Sequence, residues 1–176
     1  MKKILYPIQT IALYLILLIA GGYGGLHVSG LLDPSVFGVI NPAGDLMPPE
    51  TFAAAWQWTD GFMRVRMGIC GPIIMYGYII TLILFVRELR GPVFWLLLAA
   101  FGLFMADVVL TGTQQIPINR YIQSLDVKHL NAEDLKKISS VNRQLIQNFK
   151  SREWFSILGF VLVALTPFLW MSRKVS

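Results

Sequence analysis

Two reactive side chains lie inside otherwise apolar stretches of this chain. His27 stands near the end of the first stretch, and Asp107 stands shortly before the third stretch ends at Leu110. A titratable side chain at membrane depth is costly without a partner and by default suggests a functional site. An imidazole or a carboxylate in such a place could act as a general base, and a neighbouring cation could stabilise the anion that forms.

Further polar residues lie near the same ends of the apolar stretches. They are Arg64 and Arg66 before the second stretch, Gln115 and Asn119 after the third, and Arg152 at the start of the fourth. Helices that meet at one membrane surface bring such side chains together, so the pattern predicts a shallow polar pocket in which Asp107 pairs with one of the three arginines. The simpler alternatives are that the arginines extend to lipid phosphates, or that one of them only neutralises the acid.

Most other kinds of site are excluded by residue counts. His27 and His129 are the only histidines and Cys70 is the only cysteine, which leaves no set of ligands for a zinc or three-histidine site. No phosphate-binding loop or nucleophile elbow occurs, and we expect no metal and no cofactor. A single haem ligand at His27 is the lesser alternative to a hydrogen-bonded histidine at the membrane interface.

The composition is that of a membrane protein. The chain has 176 residues, 55% hydrophobic and 14% charged, which suits a single integral membrane domain covering residues 1–176. Uncharged or nearly uncharged stretches cover residues 4–28, 67–86, 92–110 and 154–171, each about long enough to span the hydrocarbon core. The first is too long for a cleaved signal peptide. The sequence therefore predicts an all-α bundle of four transmembrane helices.

Basic residues predict the orientation of these helices. The net charge is +5, and the bases flank apolar stretches instead of covering a soluble face, so we expect no nucleic acid as a partner. Six of them stand on one side of the membrane, against the single acid Glu88. They are Lys2, Lys3, Arg87, Arg90, Arg173 and Lys174. The positive-inside rule then places both termini in the cytoplasm, in the inner membrane, with outer loops 29–66 and 111–153.

Both outer loops carry helix signals. Pro48 and Pro49 indicate a helix start, and Trp56 after them suits the headgroup layer of the membrane. Asn131 suits a helix N-cap, and apolar residues then recur every three or four positions up to Phe149. This pattern predicts an amphipathic helix that runs into the last span. It either lies on the membrane or covers the bundle, or it acts as a lid over a ligand.

The residues at the end of the third span resemble those of a known family. It reads Gln115-Ile116-Pro117-Ile118-Asn119-Arg120, and after an amphipathic stretch Arg152 opens the last span. With four spans, this arrangement resembles the anthrone oxygenase-like integral membrane family, many of whose bacterial members have a domain of unknown function. The likeness is strongest from Pro92 to the C-terminus. The tryptophan that such proteins often place before the arginine is absent, and Trp154 follows it instead.

The resemblance implies an activity on lipophilic aromatic compounds. Some members of the family are implicated in oxidising anthrones to anthraquinones without an evident metal or flavin. Asn119 and Arg152 occupy the family's motif positions, and Arg66 and Gln115 are further candidates for substrate binding. Local chemistry adds His27 or Asp107 as the base and Arg64 as the cation. Such a reaction needs mainly proton removal in a dry pocket before a carbanion meets dioxygen.

Two other functions remain open at this point. A non-catalytic binding or accessory subunit of a larger membrane complex would use the tryptophan-rich loop and the amphipathic helix as docking surfaces. Transport has less support, because transporters usually have more spans or internal repeats, although a homo-oligomer could supply them. The expected partners are therefore membrane lipid, a lipophilic aromatic or quinonoid molecule, and other membrane subunits.

Overall fold

The computed structural model describes residues 2–32 and 47–172, and no strand occurs among them. Five α-helices follow one another along the chain. They are α1 (Lys2–Leu32), α2 (Pro49–Phe85), α3 (Pro92–Leu110), α4 (Ile116–Gln123) and α5 (Ala132–Ser172). The predicted all-α four-helix bundle is confirmed. Residues 33–46 of the first predicted loop, and the basic residues Arg173 and Lys174, lie outside the described residues, as do the side chains of Lys2 and Lys3.

Four helical stretches are long and apolar enough to cross a membrane. They are Leu5–His27, Pro49–Glu88, Pro92–Gln123 and Ala132–Ser172. Large apolar side chains are exposed along these stretches, for example Leu18, Ile69 and Phe168. Lipid tails are their favourable surroundings, and helices satisfy every backbone hydrogen bond within the bilayer. The chain is therefore a multi-pass membrane protein.

Proline and glycine set the helix boundaries where the sequence predicts them. Pro49 is the first residue of α2, where its missing N–H costs nothing. A short 3-10 turn (Val86–Glu88) follows α2, and the Gly91 N–H donates to the Glu88 carbonyl at 2.8 Å before Pro92 opens α3. Helices α2 and α3 thus form a tight hairpin.

Helix α5 combines the predicted amphipathic helix with the last span. The side-chain oxygen of Asn131 accepts hydrogen bonds from the N–H groups of Glu133 and Asp134, both at 2.9 Å, which confirms Asn131 as the N-cap. From there α5 continues without a break to Ser172. Its first half buries Leu145 and Phe149 against the start of α2 and against α4, so it covers one end of the bundle.

The buried side chains form two separate cores. One core lies among the four spanning helices and includes Leu13, Tyr78, Leu97 and Val163. The other lies at one end of the bundle, among residues 49–60 of α2, helix α4 and residues 132–149 of α5, which we call the cap. Polar residues lie at the borders of the two cores. Most of the residues of the predicted site are among them.

Helix α2 contributes to both cores, and the residues between its two contributions are not buried. Its buried residues run from Phe52 to Asp60 and resume at Ile74, and no residue from 61 to 73 is buried. Pro72 lies inside the helix where packing resumes, and a proline in a helix interior removes a backbone hydrogen bond and favours a bend. We call residues 61–73 the open segment of α2.

Candidate functional site

A polar stripe runs along α3 and α4 at intervals of four residues. Its members are Asp107, Thr111, Gln115, Asn119 and Gln123, and all are buried or half-buried. In a regular α-helix such a stripe rotates about 40° with each step, because four residues exceed one turn. A π-helix, Thr111–Gln115, joins α3 to α4 and turns less per residue. The π-helix therefore keeps both ends of the stripe directed into the protein.

Asp107 lies at the centre of the first polar group. Its side chain is almost fully buried, and Arg152 donates from Nε to Oδ1 at 2.5 Å and from Nη2 to Oδ2 at 3.5 Å. The hydroxyl of Tyr23 donates a further hydrogen bond to Oδ2. The pairing predicted for Asp107 is confirmed, with Arg152 as its partner. Burial removes a carboxylate from water, and a cation together with two kinds of donor compensates well for that cost.

His27 completes this group, which we call the membrane cluster (Tyr23, His27, Asp107 and Arg152). Its ring makes an edge contact with Tyr23, with 4.8 Å between ring centres, and only 3% of the residue is exposed. Neither ring nitrogen has a hydrogen-bond partner among the described residues. Because buried polar atoms are normally paired, His27 is the member of the cluster with unused hydrogen-bonding capacity.

A second polar group, the cap cluster, joins α2 to α4. Asn119 accepts hydrogen bonds at Oδ1 from Trp56 Nε1 and Gln115 Nε2, both at 3.0 Å, and donates from Nδ2 to Asp60 Oδ1 at 2.5 Å. Gln123 donates to the other oxygen of Asp60 at 3.2 Å. Asn119 thus spends its hydrogen bonds on protein groups. Trp56 is buried here, and its indole N–H is used in the hydrogen bond to Asn119.

The ring of Phe149 stands between the two clusters. It makes an edge contact with Trp56 on one side, with ring centres 5.9 Å apart, and the guanidinium carbon of Arg152 lies 5.9 Å from its centre on the other side. In place of the single polar pocket that the sequence predicted, the structure has two polar layers separated by an aromatic ring. Asn119 and Gln115 lie in the cap layer, and Arg152, Asp107 and His27 lie in the membrane layer.

Arg64 and Arg66 differ from the prediction. Both are exposed on the open segment of α2, so neither joins the two clusters. Arg66 donates to the Phe62 carbonyl at 3.0 Å, and its guanidinium lies 3.2 Å from the centre of the Phe62 ring. Both arginines lie on the stretch of α2 between Asp60 and Ile74 in which no residue is buried.

A small cavity lies beside the membrane cluster and touches all four spanning helices. Its wall includes Tyr23, Asp107, Tyr78, Ile74 and Ser156. The volume is about 10 Å³, which is close to the least that one water molecule needs. An aromatic ligand therefore requires the cavity to widen. Among the described residues no group of three or more potential metal ligands comes together.

No family model, characterised protein or solved structure matches the chain. The resemblance to the anthrone oxygenase-like family accordingly stays a prediction. What the site can do is judged from its geometry.

Three members of the clusters, Tyr23, Asp60 and Gln123, were missed by the sequence analysis. Tyr23 lies one helical turn before His27, and Asp60 lies one turn after Trp56, so each shares a helix face with a residue that was noticed. Tyr23 was missed because a tyrosine in an apolar stretch gives no sign of charge or partner. Asp60 was missed because it falls in a segment that was expected to be a loop.

The other histidine, His129, has surroundings of a different kind from those of His27. His129 is exposed between α4 and α5, and its Nδ1 lies 2.8 Å from Asp126 Oδ2. This hydrogen bond, together with a weaker one from the backbone N–H of Lys128, lowers the pKa of Asp126. His129 thus provides a matched control for experiments on His27.

Close packing of α1 on α5 holds Tyr23 and His27 in place, and glycine makes it possible. A Cβ atom on Gly24 would lie 3.4 Å from Cβ of Phe160. We expect Gly24→Leu to lower the free energy of unfolding by about 1–3 kcal/mol through overpacking. The measurement is unfolding in mixed micelles followed by far-UV circular dichroism.

The control for this prediction is the neighbouring residue. A Cβ atom on Gly25 would meet nothing within 4 Å, so Gly25→Leu should leave the unfolding free energy nearly unchanged. Equal effects of the two variants would contradict the close approach of α1 and α5 at Gly24.

Proposed function

We propose that this protein is an oxygenase-type enzyme that binds a lipophilic aromatic or quinonoid compound at the membrane cluster and oxidises an acidic C–H group with dioxygen. The observation that carries the proposal is His27, a buried imidazole whose two nitrogens have no partner among the described residues. Asp107 is already engaged by Arg152 and Tyr23, so the imidazole, and not the carboxylate, is the base.

The proposed reaction begins with transfer of a proton from a benzylic CH₂ group to the free nitrogen of His27. The resulting carbanion, delocalised onto a ring oxygen as an enolate, reduces dioxygen and forms a C–O bond, which gives a hydroperoxide after protonation. Loss of water from the hydroperoxide leaves a carbonyl group. One dioxygen molecule supplies the carbonyl oxygen and the oxygen of the water, so atoms and electrons balance.

Arg152 supports the enolate in this scheme. A guanidinium has five N–H donors, and the hydrogen bonds to Asp107 engage only part of them. Tyr23 contacts His27 and donates to Asp107, which Arg152 also binds, so the cation belongs to the same cluster as the base. Donors held in a low-dielectric site stabilise a developing anion more than water does. Tyr23 holds Asp107 and the edge of His27 and is a positioning residue.

The orientation proposed for the enzyme places the cap outside the cytoplasm, with both termini inside and the protein in the inner membrane. Arg87 and Arg90 in the short link between α2 and α3 lie at the end of the bundle opposite the cap, and they support this orientation.

The deciding experiment measures oxygen uptake by the protein in lipid nanodiscs with a panel of anthrones. We expect uptake with at least one compound, and a loss of roughly 100-fold or more in His27→Gln, as for removal of a general base. His129→Gln should behave like the wild type. Absence of both uptake and binding across the panel, or equal rates in His27→Gln and the wild type, would overturn the proposal.

A second candidate function follows from the size of the cavity. Room for about one water molecule is what a structural polar layer requires, and this favours a non-catalytic subunit of a larger membrane complex. A larger assembly on native gels after mild detergent, combined with no ligand binding, would favour that function over the enzyme.

A further inference from the structure

Tyr78 of α2 is a buried tyrosine whose hydroxyl makes no hydrogen bond with any of the described residues. Only 3% of the residue is exposed. Its ring packs against Phe101 and Phe104 of α3, with ring centres 5.7 and 5.9 Å apart. A buried tyrosine normally finds a partner for its hydroxyl, because removing that group from water is costly. The hydroxyl of Tyr78 therefore has hydrogen-bonding capacity to spare.

The small cavity joins Tyr78 to the membrane cluster. Tyr78 lines the cavity from α2, and the other polar side chains of its wall are Tyr23 of α1, Asp107 of α3 and Ser156 of α5. The remaining wall is apolar. The volume of about 10 Å³ suits one water molecule and no larger polar molecule.

Asp107 and Ser156 can each accept a further hydrogen bond. A carboxylate has about four lone-pair sites. Among the described residues, Asp107 Oδ2 accepts from Tyr23 and Arg152, whereas Oδ1 accepts from Arg152 alone. The hydroxyl of Ser156 donates its proton to the Glu153 carbonyl at 3.0 Å, which leaves its lone pairs available. Two acceptors and the donor of Tyr78 thus line one cavity.

We infer that the cavity binds one internal water molecule, which accepts a hydrogen bond from the hydroxyl of Tyr78 and donates to Asp107 Oδ1 and Ser156 Oγ. Three hydrogen bonds are typical of a buried water. Among the described residues, no side chain of α2 bonds directly to the membrane cluster, and the water makes this connection. Tyr78 is then a positioning residue that acts on Asp107 through the water. The inference goes beyond the proposed oxidation and holds equally for a non-catalytic subunit.

Solid-state NMR of the protein in lipid bilayers tests this water directly. Aspartate is labelled with ¹³C at the carboxyl carbon, and the signal of Asp107 is the one that Asp107→Asn removes. We expect magnetisation to pass from water to this carbon although the side chain is almost fully buried. Tyr78→Phe removes one hydroxyl and should weaken the transfer and shift the Asp107 signal. Tyr76→Phe makes the same change at an exposed tyrosine of α2 and should do neither.

Filling the cavity provides a second variant that leaves every polar group in place. Gly159 lines the cavity, and a Cβ atom there would lie 3.8 Å from the carbonyl oxygen of Ala100 and 4.0 Å from Cβ of Leu103, which are ordinary contacts. The methyl group of Gly159→Ala should therefore displace the water without a clash and abolish the transfer to Asp107. Gly102→Ala adds a methyl group to α3 where nothing lies within 4 Å and should preserve the transfer.

Three results would overturn the inference. The first is absence of transfer from water to Asp107 in the wild type. The second is transfer that either Tyr78→Phe or Gly159→Ala leaves unchanged. The third is uptake of xenon by the wild type and not by Gly159→Ala, because xenon enters dry apolar cavities. Loss of transfer in both variants supports the water even if no anthrone is oxidised, so the two proposals fail separately.

Discussion

Arg152→Met is expected to lower the free energy of unfolding by about 3–5 kcal/mol, because it leaves the carboxylate of Asp107 buried without its cation. Only 3% of the Asp107 side chain is exposed, so water cannot replace the guanidinium. The hydroxyl of Tyr23 would remain as a donor but brings no positive charge. Unfolding in mixed micelles, followed by circular dichroism, gives the difference.

A second substitution tests whether this loss comes from the unpaired charge. Arg152→Met combined with Asp107→Leu removes both charges, and such replacements of buried pairs are often close to neutral. We therefore expect the double variant to be more stable than Arg152→Met alone. Arg64→Met changes an exposed arginine and should shift stability by no more than about 0.5 kcal/mol. If Arg152→Met cost as little as Arg64→Met, the buried ion pair would not be a feature of the folded protein.

Asn119→Leu should have the second large effect, since leucine has similar size but cannot replace the three hydrogen bonds of the amide. Trp56 and Gln115 would each lose an acceptor, and Asp60 would lose its donor at 2.5 Å. Each unsatisfied buried group costs about 1–3 kcal/mol, so we expect a total loss of about 3 kcal/mol or more. Hydrogen exchange should accelerate most in α4, which these bonds attach to α2.

Gln114→Leu is the control for Asn119→Leu. Gln114 is exposed on the π-helix that precedes α4, and its substitution should leave exchange in α4 and overall stability nearly unchanged. Uniformly faster exchange throughout the protein after Asn119→Leu, without a greater change in α4, would contradict a local attachment of α4 through Asn119.

The sequence was sufficient for the four spanning helices and for several of their ends. Uninterrupted apolar stretches require helices in a bilayer, and Pro49, Gly91 and Asn131 act on the backbone within a few residues. The partner of Asp107 was narrowed to three arginines because a buried acid needs a cation. Choosing Arg152 among them required knowledge of which helix faces meet, and that depends on helix rotation and packing.

The remaining features depend on contacts between distant segments. The sequence predicted a helix start at Pro48 and Pro49 in an outer loop and a separate span from residue 67, whereas α2 is one helix from Pro49 to Phe85 whose first turns are buried in the cap. The charge of Arg64 and Arg66 gave no sign that this stretch of α2 is not buried. The separation of Asn119 from Arg152 by Phe149 also follows from packing, which a single sequence does not display.

The π-helix between Asp107 and Asn119 makes the site depend on how the backbone winds there. In a regular α-helix of the same length, Asn119 would lie about 120° around the axis from Asp107. Asn119 would then turn away from Asp60 while Asp107 kept its place beside Arg152. Homologues that retain both layers should accordingly keep the wider winding between these two positions, even where the side chains in between have diverged.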